Sequence, residues 1–184
     1  MLLRLDKRPL SATLSWQANP RAEAVAYVLA SVELPPGVWP GGPVTLERGQ
    51  QGVGRSWLHG VAGAKVDLPF GRDELLHVQV VPEQRKQGSG GFVGNRTELR
   101  VERAYEVRNG RRGPVRLRVL ESSPNSLDER IEVTRSFKPD TRVPEHEAAG
   151  VVAWEMDLPA GASQRFQAEY LVSHPKDLKA SERR

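Results

Sequence analysis

Apolar residues recur at every second position through most of this chain, and that period limits the fold more than any other feature. Successive side chains of an extended strand point to opposite faces, so a two-residue period marks a strand with one buried face. Residues 97–107, TELRVERAYEV, put Leu99, Val101, Tyr105 and Val107 on one face and Glu98, Arg100, Glu102 and Glu106 on the other. Val115, Leu117 and Val119 alternate with Arg116 and Arg118. Ile131 and Val133 add a shorter run. Val152, Trp154, Met156 and Leu158 form another series, as do Phe166, Ala168, Tyr170 and Val172. Arg103 interrupts an otherwise apolar face, which predicts a bulge or an open rim at that point.

The first third of the chain is strand-like but less regular. Ala12, Leu14 and Trp16 alternate with Ser11, Thr13 and Ser15. Residues 24–34 have the alanine content of a helix. However, Val25, Tyr27 and Leu29 alternate, Val28 and Val32 are β-branched, and a Pro-Pro-Gly stop follows, so the reading is a strand with a helix as the alternative. PVTLERG, RSWLHGV and AKVDLPF read as three short strands, followed by one that carries Leu76, Val78 and Val80. Residues 82–96, PEQRKQGSGGFVGNR, read as a glycine-rich, basic, mobile loop. Turns are expected at Asn109-Gly110, at Pro124-Asn125 and at Leu158–Ser163. The sum is an all-β chain, an antiparallel Ig-like β-sandwich built as one sandwich or as two packed subdomains. Its expected division is a β-rich part over 1–70, a sandwich over 71–177 and a polar tail over 178–184.

With 184 residues and no cysteine, disulfides, thiol catalysis and zinc–thiolate sites are excluded. The longest apolar run falls well short of the roughly 20 residues a membrane helix needs, and no signal peptide is expected in MLLRLDKRPL. A net charge of +4, with arginines scattered among acidic residues, argues against nucleic acid as the partner. There is no Gly-x-Ser-x-Gly elbow and no His-Glu-x-x-His pair. GSGGFVG lacks the Lys-Ser/Thr of a phosphate loop. Asp73 and Glu74 are adjacent carboxylates, whereas a glycosidase holds its pair across a cleft. Glu145, His146 and Glu147 form the densest polar cluster. Neighbours on an extended chain point apart, so a charged loop is expected there and no metal or cofactor.

Binding is the function left to weigh. Arg85, Lys86 and Arg96, with Phe92 as the loop's aromatic, are the expected basic patch for an acidic polysaccharide. Trp39, set among prolines, is the tryptophan in an exposed-looking context, with a plug at the end of the sandwich as the commoner role of a tryptophan in such a turn, and Trp154 is the one expected in the core.

Several stretches occur here in a recognisable order. They are Phe70, Gly71 and Asp73; then Gly91, Phe92, Gly94 and Asn95; then Tyr105 and Asn109. Pro124, Ser126, Asp128, Ile131 and Val133 follow, then Trp154, Leu158 and Gly161, then Tyr170, Pro175 and Lys176. Over residues 65–177 the pattern resembles the C-terminal domain, of unknown function, of the mucoidy inhibitor A family. The resemblance implies that this chain is the equivalent of one part of a longer protein, with the missing N-terminal region as a partner. It also implies a periplasmic or envelope-associated setting, and it carries no catalytic residues to transfer. The expected function is therefore a non-enzymatic β-sandwich module that mediates protein–protein or cell-envelope interactions. The alternative is an accessory domain that binds carbohydrate or acidic polysaccharide.

Overall fold

The structure, a computed structural model, describes residues 7–90, 95–141 and 150–178. Ten strands are present among the described residues: β1 (Ala12–Asn19), β2 (Glu23–Glu33), β3 (Gly42–Arg48), β4 (Gln51–Leu58), β5 (Lys65–Gly90), β6 (Arg96–Asn109), β7 (Val115–Ser122), β8 (Glu132–Lys138), β9 (Val151–Leu158) and β10 (Ser163–Pro175). Eight of them form one sheet in the order β8-β10-β6-β5-β2-β1-β7-β9, and β3 and β4 form a separate two-stranded ribbon.

The all-β class holds, but the architecture is a single mixed sheet curled into a half-barrel, with a small second sheet, and not a clear Ig-like sandwich. The cause is the pairing of β1 with β7. It is parallel, through Trp16↔Leu117, Gln17↔Arg118 and Ala18↔Val119, and it joins the first and last thirds of the chain in one sheet. Residues 70 and 71, where the sequence suggested a division, both lie within β5, and β2 pairs with β5 on either side of that point.

The curl brings the two ends of the sheet face to face. Trp154 on β9 packs edge-on against Phe137 on β8, with ring centres 5.9 Å apart, and lies 5.3 Å from Phe166 on β10. The Trp154 indole N–H donates to Pro139 O, just beyond β8. Side chains close this seam, because β8 and β9 are not ladder neighbours. The core is the inward series foreseen from the alternation: Val101, Tyr105 and Val107, then Val115, Leu117 and Val119, then Phe166, Ala168 and Tyr170 are all buried. Residues 24–33 are strand, although the side buried is Ala26, Val28, Ala30 and Val32; Tyr27 and Leu29 lie on the opposite face.

Most of the expected mobile loop is strand among the described residues. Residues 82–90 continue β5, and Gly88, Ser89 and Gly90 pair with Glu98, Thr97 and Arg96. Strand pairing overrides the glycine content here because β6 offers a continuous ladder. The bulge foreseen near Arg103 exists, but it sits across from it, in β5 between Val81 and Gln84.

Candidate functional site

Arg103 keeps its inward place on β6 because a partner waits on β7. Glu121 continues the inward series Val115, Leu117, Val119, and it is 1% exposed. Arg103 Nη1 donates to Glu121 Oε1 at 2.7 Å and to Ser122 O at 2.9 Å, while its Nε donates to Glu83 Oε2 at 2.6 Å. Tyr105 donates its hydroxyl to Glu121 Oε2, and Tyr170 donates to Oε1 at 3.1 Å. The Arg103 guanidinium also lies over the Tyr170 ring, 5.3 Å from its centre. Burial works against the Arg103 charge, but the bonds to Glu83 and Glu121 outweigh it and hold the group above its ordinary value. Burial, and then the negative Glu121, push the Tyr105 and Tyr170 hydroxyls above the usual phenol range. Burial raises Glu83, but its bonds to Arg103 and Arg85 outweigh that, and it sits below the ordinary carboxyl value. Both Glu121 oxygens are thus engaged. The cluster ties β5, β6, β7 and β10 together across the inside of the curl, which is a structural task.

A second polar hub closes one end of the half-barrel. Asp73 is buried; its Oδ2 accepts from the Trp16 indole at 2.5 Å and from Arg111 Nη1 at 2.5 Å, and its Oδ1 accepts from Leu75 N at 3.0 Å. Arg111 lies 5.2 Å above the Trp16 ring. Nearby, the Asn109 amide donates to the carbonyls of Gly113, Leu158 and Pro159, each at 3.0 Å. Gly71 adopts φ +82°, and a Cβ there would lie 3.2 Å from Val53 O, so the β3–β4 ribbon packs on β5 where glycine removes the obstacle. These are structural tasks for Gly71, Asp73, Tyr105 and Asn109.

The surface differs from the interior. β1 pairs with β2 over its whole length, Ala12 to Asn19, but bridges β7 only at Trp16, Gln17 and Ala18. Residues 12–15 therefore have one ladder neighbour among the described residues. Leu14 belongs to the inward series of β1 yet is 49% exposed. A cleft of about 610 Å³ lies beside this half-strand, lined by Ser11 just before β1, Thr13 and Ser15 of β1, Ser31 of β2 and Arg116 of β7.

The residues expected to bind are dispersed. Arg85 is paired with Glu83 at 2.5 Å. Lys86 lines a shallow depression with Glu98, Arg100 and Leu171. Arg96 fastens β6 to its neighbours, donating to Ser173 Oγ at 2.8 Å and Ser173 O at 2.9 Å, to Arg130 O at 3.1 Å, and pairing with Glu132 at 3.2 Å. These three share the β5–β6 hairpin. Trp39 belongs to the β2–β3 connection, where its indole N–H donates to Pro35 O at 2.7 Å and Arg8 lies over the ring. Phe92 and the Glu145–His146–Glu147 cluster lie outside the described residues. Among the described residues, no group of three His, Asp or Glu side chains is placed to hold a metal ion, and no helix is long and apolar enough to cross a membrane. Tryptophan exposure falls on Trp57, not on Trp39: Trp57 is 54% exposed.

A family model described as a domain of unknown function, DUF4139, matches residues 8–176. The chain belongs to the DUF4139 family. The match extends from just before β1 to the end of β10 and so takes in both sheets. No curated protein and no solved structure matches the chain.

Proposed function

We propose that this DUF4139 chain works by binding and not by chemistry, as a β-sheet module that holds a protein partner at the cell envelope. The observation that carries this reading is the half-paired β1. Residues 12–15 offer free backbone N–H and C=O groups on one side, a half-exposed Leu14 on the inner face, and an open cleft alongside. An extended segment of a partner protein satisfies all three by adding a strand there: it completes the ladder, and an apolar side chain covers Leu14. The sealing of Arg103, Glu121, Tyr105 and Tyr170 inside the sheet supports a non-enzymatic reading, since their bonding capacity is spent on one another. The resemblance to the mucoidy inhibitor A family supplies the envelope setting.

The test is a photo-cross-linking amino acid placed at Ser15, with another at the fully exposed Leu127 as control. Protein adducts are expected at position 15 in excess of position 127, and Leu14→Glu is expected to abolish them without lowering the melting temperature. Equal labelling at both positions, or adducts that survive Leu14→Glu, removes the reading.

A further inference from the structure

The β3–β4 ribbon offers a second, differently built surface. An isolated two-stranded ribbon is marginal in water, so it needs a packed face. That face is Val44 and Leu46 of β3 with Ser56 and Leu58 of β4, and Leu46 is buried. The opposite face holds Pro43 and Thr45 directly across from Trp57 and Arg55 in the register, and all four are exposed. Trp57 and His59 form a shallow aromatic platform, with ring centres 5.8 Å apart and planes inclined by 35°. Gly41 lies beside both rings: a Cβ there would be 3.9 Å from Trp57 Nε1 and 3.9 Å from His59 Nδ1. Arg55 stands two residues from Trp57 on the same face, about 7 Å along the strand. Among the described residues its guanidinium makes no hydrogen bond or ion pair.

We infer that this outer face of the ribbon binds an acidic sugar, a uronate unit within a polysaccharide. The chemistry of the face selects that class, and the site is separate from the one proposed for a protein partner. A half-exposed indole offers a flat apolar surface to the C–H face of a pyranose ring. An unengaged guanidinium beside it presents a planar fork that matches a carboxylate. Thr45 and His59 add hydrogen-bonding groups around the ring for sugar hydroxyls. A single-stranded nucleic acid also stacks on aromatic rings, but it needs a track of cations along its phosphates. Here one arginine faces the platform, and Glu47 follows Thr45 on the same side of β3, so the face suits one carboxylate better than a run of phosphates. An acidic peptide needs the arginine but leaves the indole face unused.

The test is a fluorescence titration, because Trp16 and Trp154 are buried, Trp39 is half-buried, and Trp57 is the tryptophan most open to solvent. Tetragalacturonate is expected to change the emission, with the change lost in Trp57→Phe. Trp57→Ala is expected to weaken binding, followed by calorimetry, by tenfold or more. Arg55→Ala is expected to weaken tetragalacturonate by about tenfold, roughly one good charge-assisted contact, while leaving any weak binding of maltotetraose unchanged. Unchanged melting temperatures keep the variants interpretable, because Arg55 and Trp57 lie on the exposed face; Arg55→Lys serves as the conservative partner and is expected to recover part of the loss. The inference is overturned if tetragalacturonate fails to bind at millimolar concentration or if maltotetraose binds equally well. It is equally overturned if polyglutamate or oligo-dT binds more tightly than the uronate, or if binding survives Trp57→Ala.

Discussion

Strands β6 and β1 differ in one respect, and most of the molecule's behaviour follows from it. β6 has a ladder partner on each side for nearly its full length, β5 on one and β10 on the other. β1 has β2 along all of it but β7 along only three residues. On β6 the inward position can be given to an arginine, because the surrounding strands are fixed well enough to deliver Glu83, Glu121 and Tyr170 to it. On β1 the inward position holds a leucine that stays half in water. Neighbours fixed on both sides make a polar side chain safe inside, even across from the β5 bulge, and a missing neighbour leaves an apolar one outside. The first is a matter of stability; the second is where a function is expected.

The largest test of this contrast is Glu121→Ala. It leaves Arg103 with one buried partner fewer and two tyrosine hydroxyls without an acceptor, so a loss of about 3–5 kcal/mol is expected in urea denaturation. Joining Glu121→Leu to Arg103→Met is expected to recover part of that loss, since no uncompensated charge then stays inside. A double variant as unstable as Glu121→Ala breaks the claim that charge balance holds the cluster. Next come two leucines compared directly. Leu117→Ala on β7, fully buried, is expected to cost about 2–5 kcal/mol. Leu14→Ala on β1 is expected to cost less than about 1 kcal/mol. Equal costs would mean that Leu14 is covered in solution and that β1 is not half-paired.

Asp73→Ala is expected to cost about 1–3 kcal/mol, since it strands the buried Trp16 indole N–H. The Trp16 emission is expected to change with it, and an unchanged spectrum would place the hub's role elsewhere.

The smallest effect lies at the corner before β8. Two bonds from the Arg130 side chain, then one from its backbone N–H, hold the half-buried Asp128 at about 2. The folded value is the depressed one, so its contribution is present above the unfolded carboxyl range and is lost as pH falls through about 2. Arg130→Ala is expected to move the Asp128 midpoint up toward the ordinary carboxyl value in a carbon-detected NMR titration. An unmoved midpoint would assign the depression to the backbone bond alone. Arg130 is exposed, so no measurable change in the melting temperature is expected near neutral pH.

Much of the interior was legible. Arg103 broke an apolar alternation, and that break marked the position of the ion cluster. Glu121 carried the complementary break on β7, two residues past Val119, and pairing the two interruptions by charge would have located the cluster. The surface was less legible. Trp39 among prolines looks exposed, yet its indole is bonded to Pro35 and covered by Arg8. Trp57 sits in a run that reads as an ordinary strand. Its exposure follows because Val44, Leu46 and Leu58 take the packed face of the ribbon and leave Trp57 on the other. Arg85, Lys86 and Arg96 looked like one patch because they are close in sequence, but Arg85 is paired with Glu83 two residues before it, and Arg96 is held by Ser173, which the fold brings from β10.

The chain by itself determined where strands run and which side of most of them is buried. Alternation is a local property, written in each segment by the chemistry of successive side chains. Tertiary structure decided the neighbours. The parallel pairing of β1 with β7, the curl that sets β9 against β8 and β10, and the short overlap that leaves Leu14 uncovered all join segments far apart in sequence. Ladder hydrogen bonds are made by the backbone, which is alike in every strand, so the choice of neighbour is settled only when the inward faces pack together.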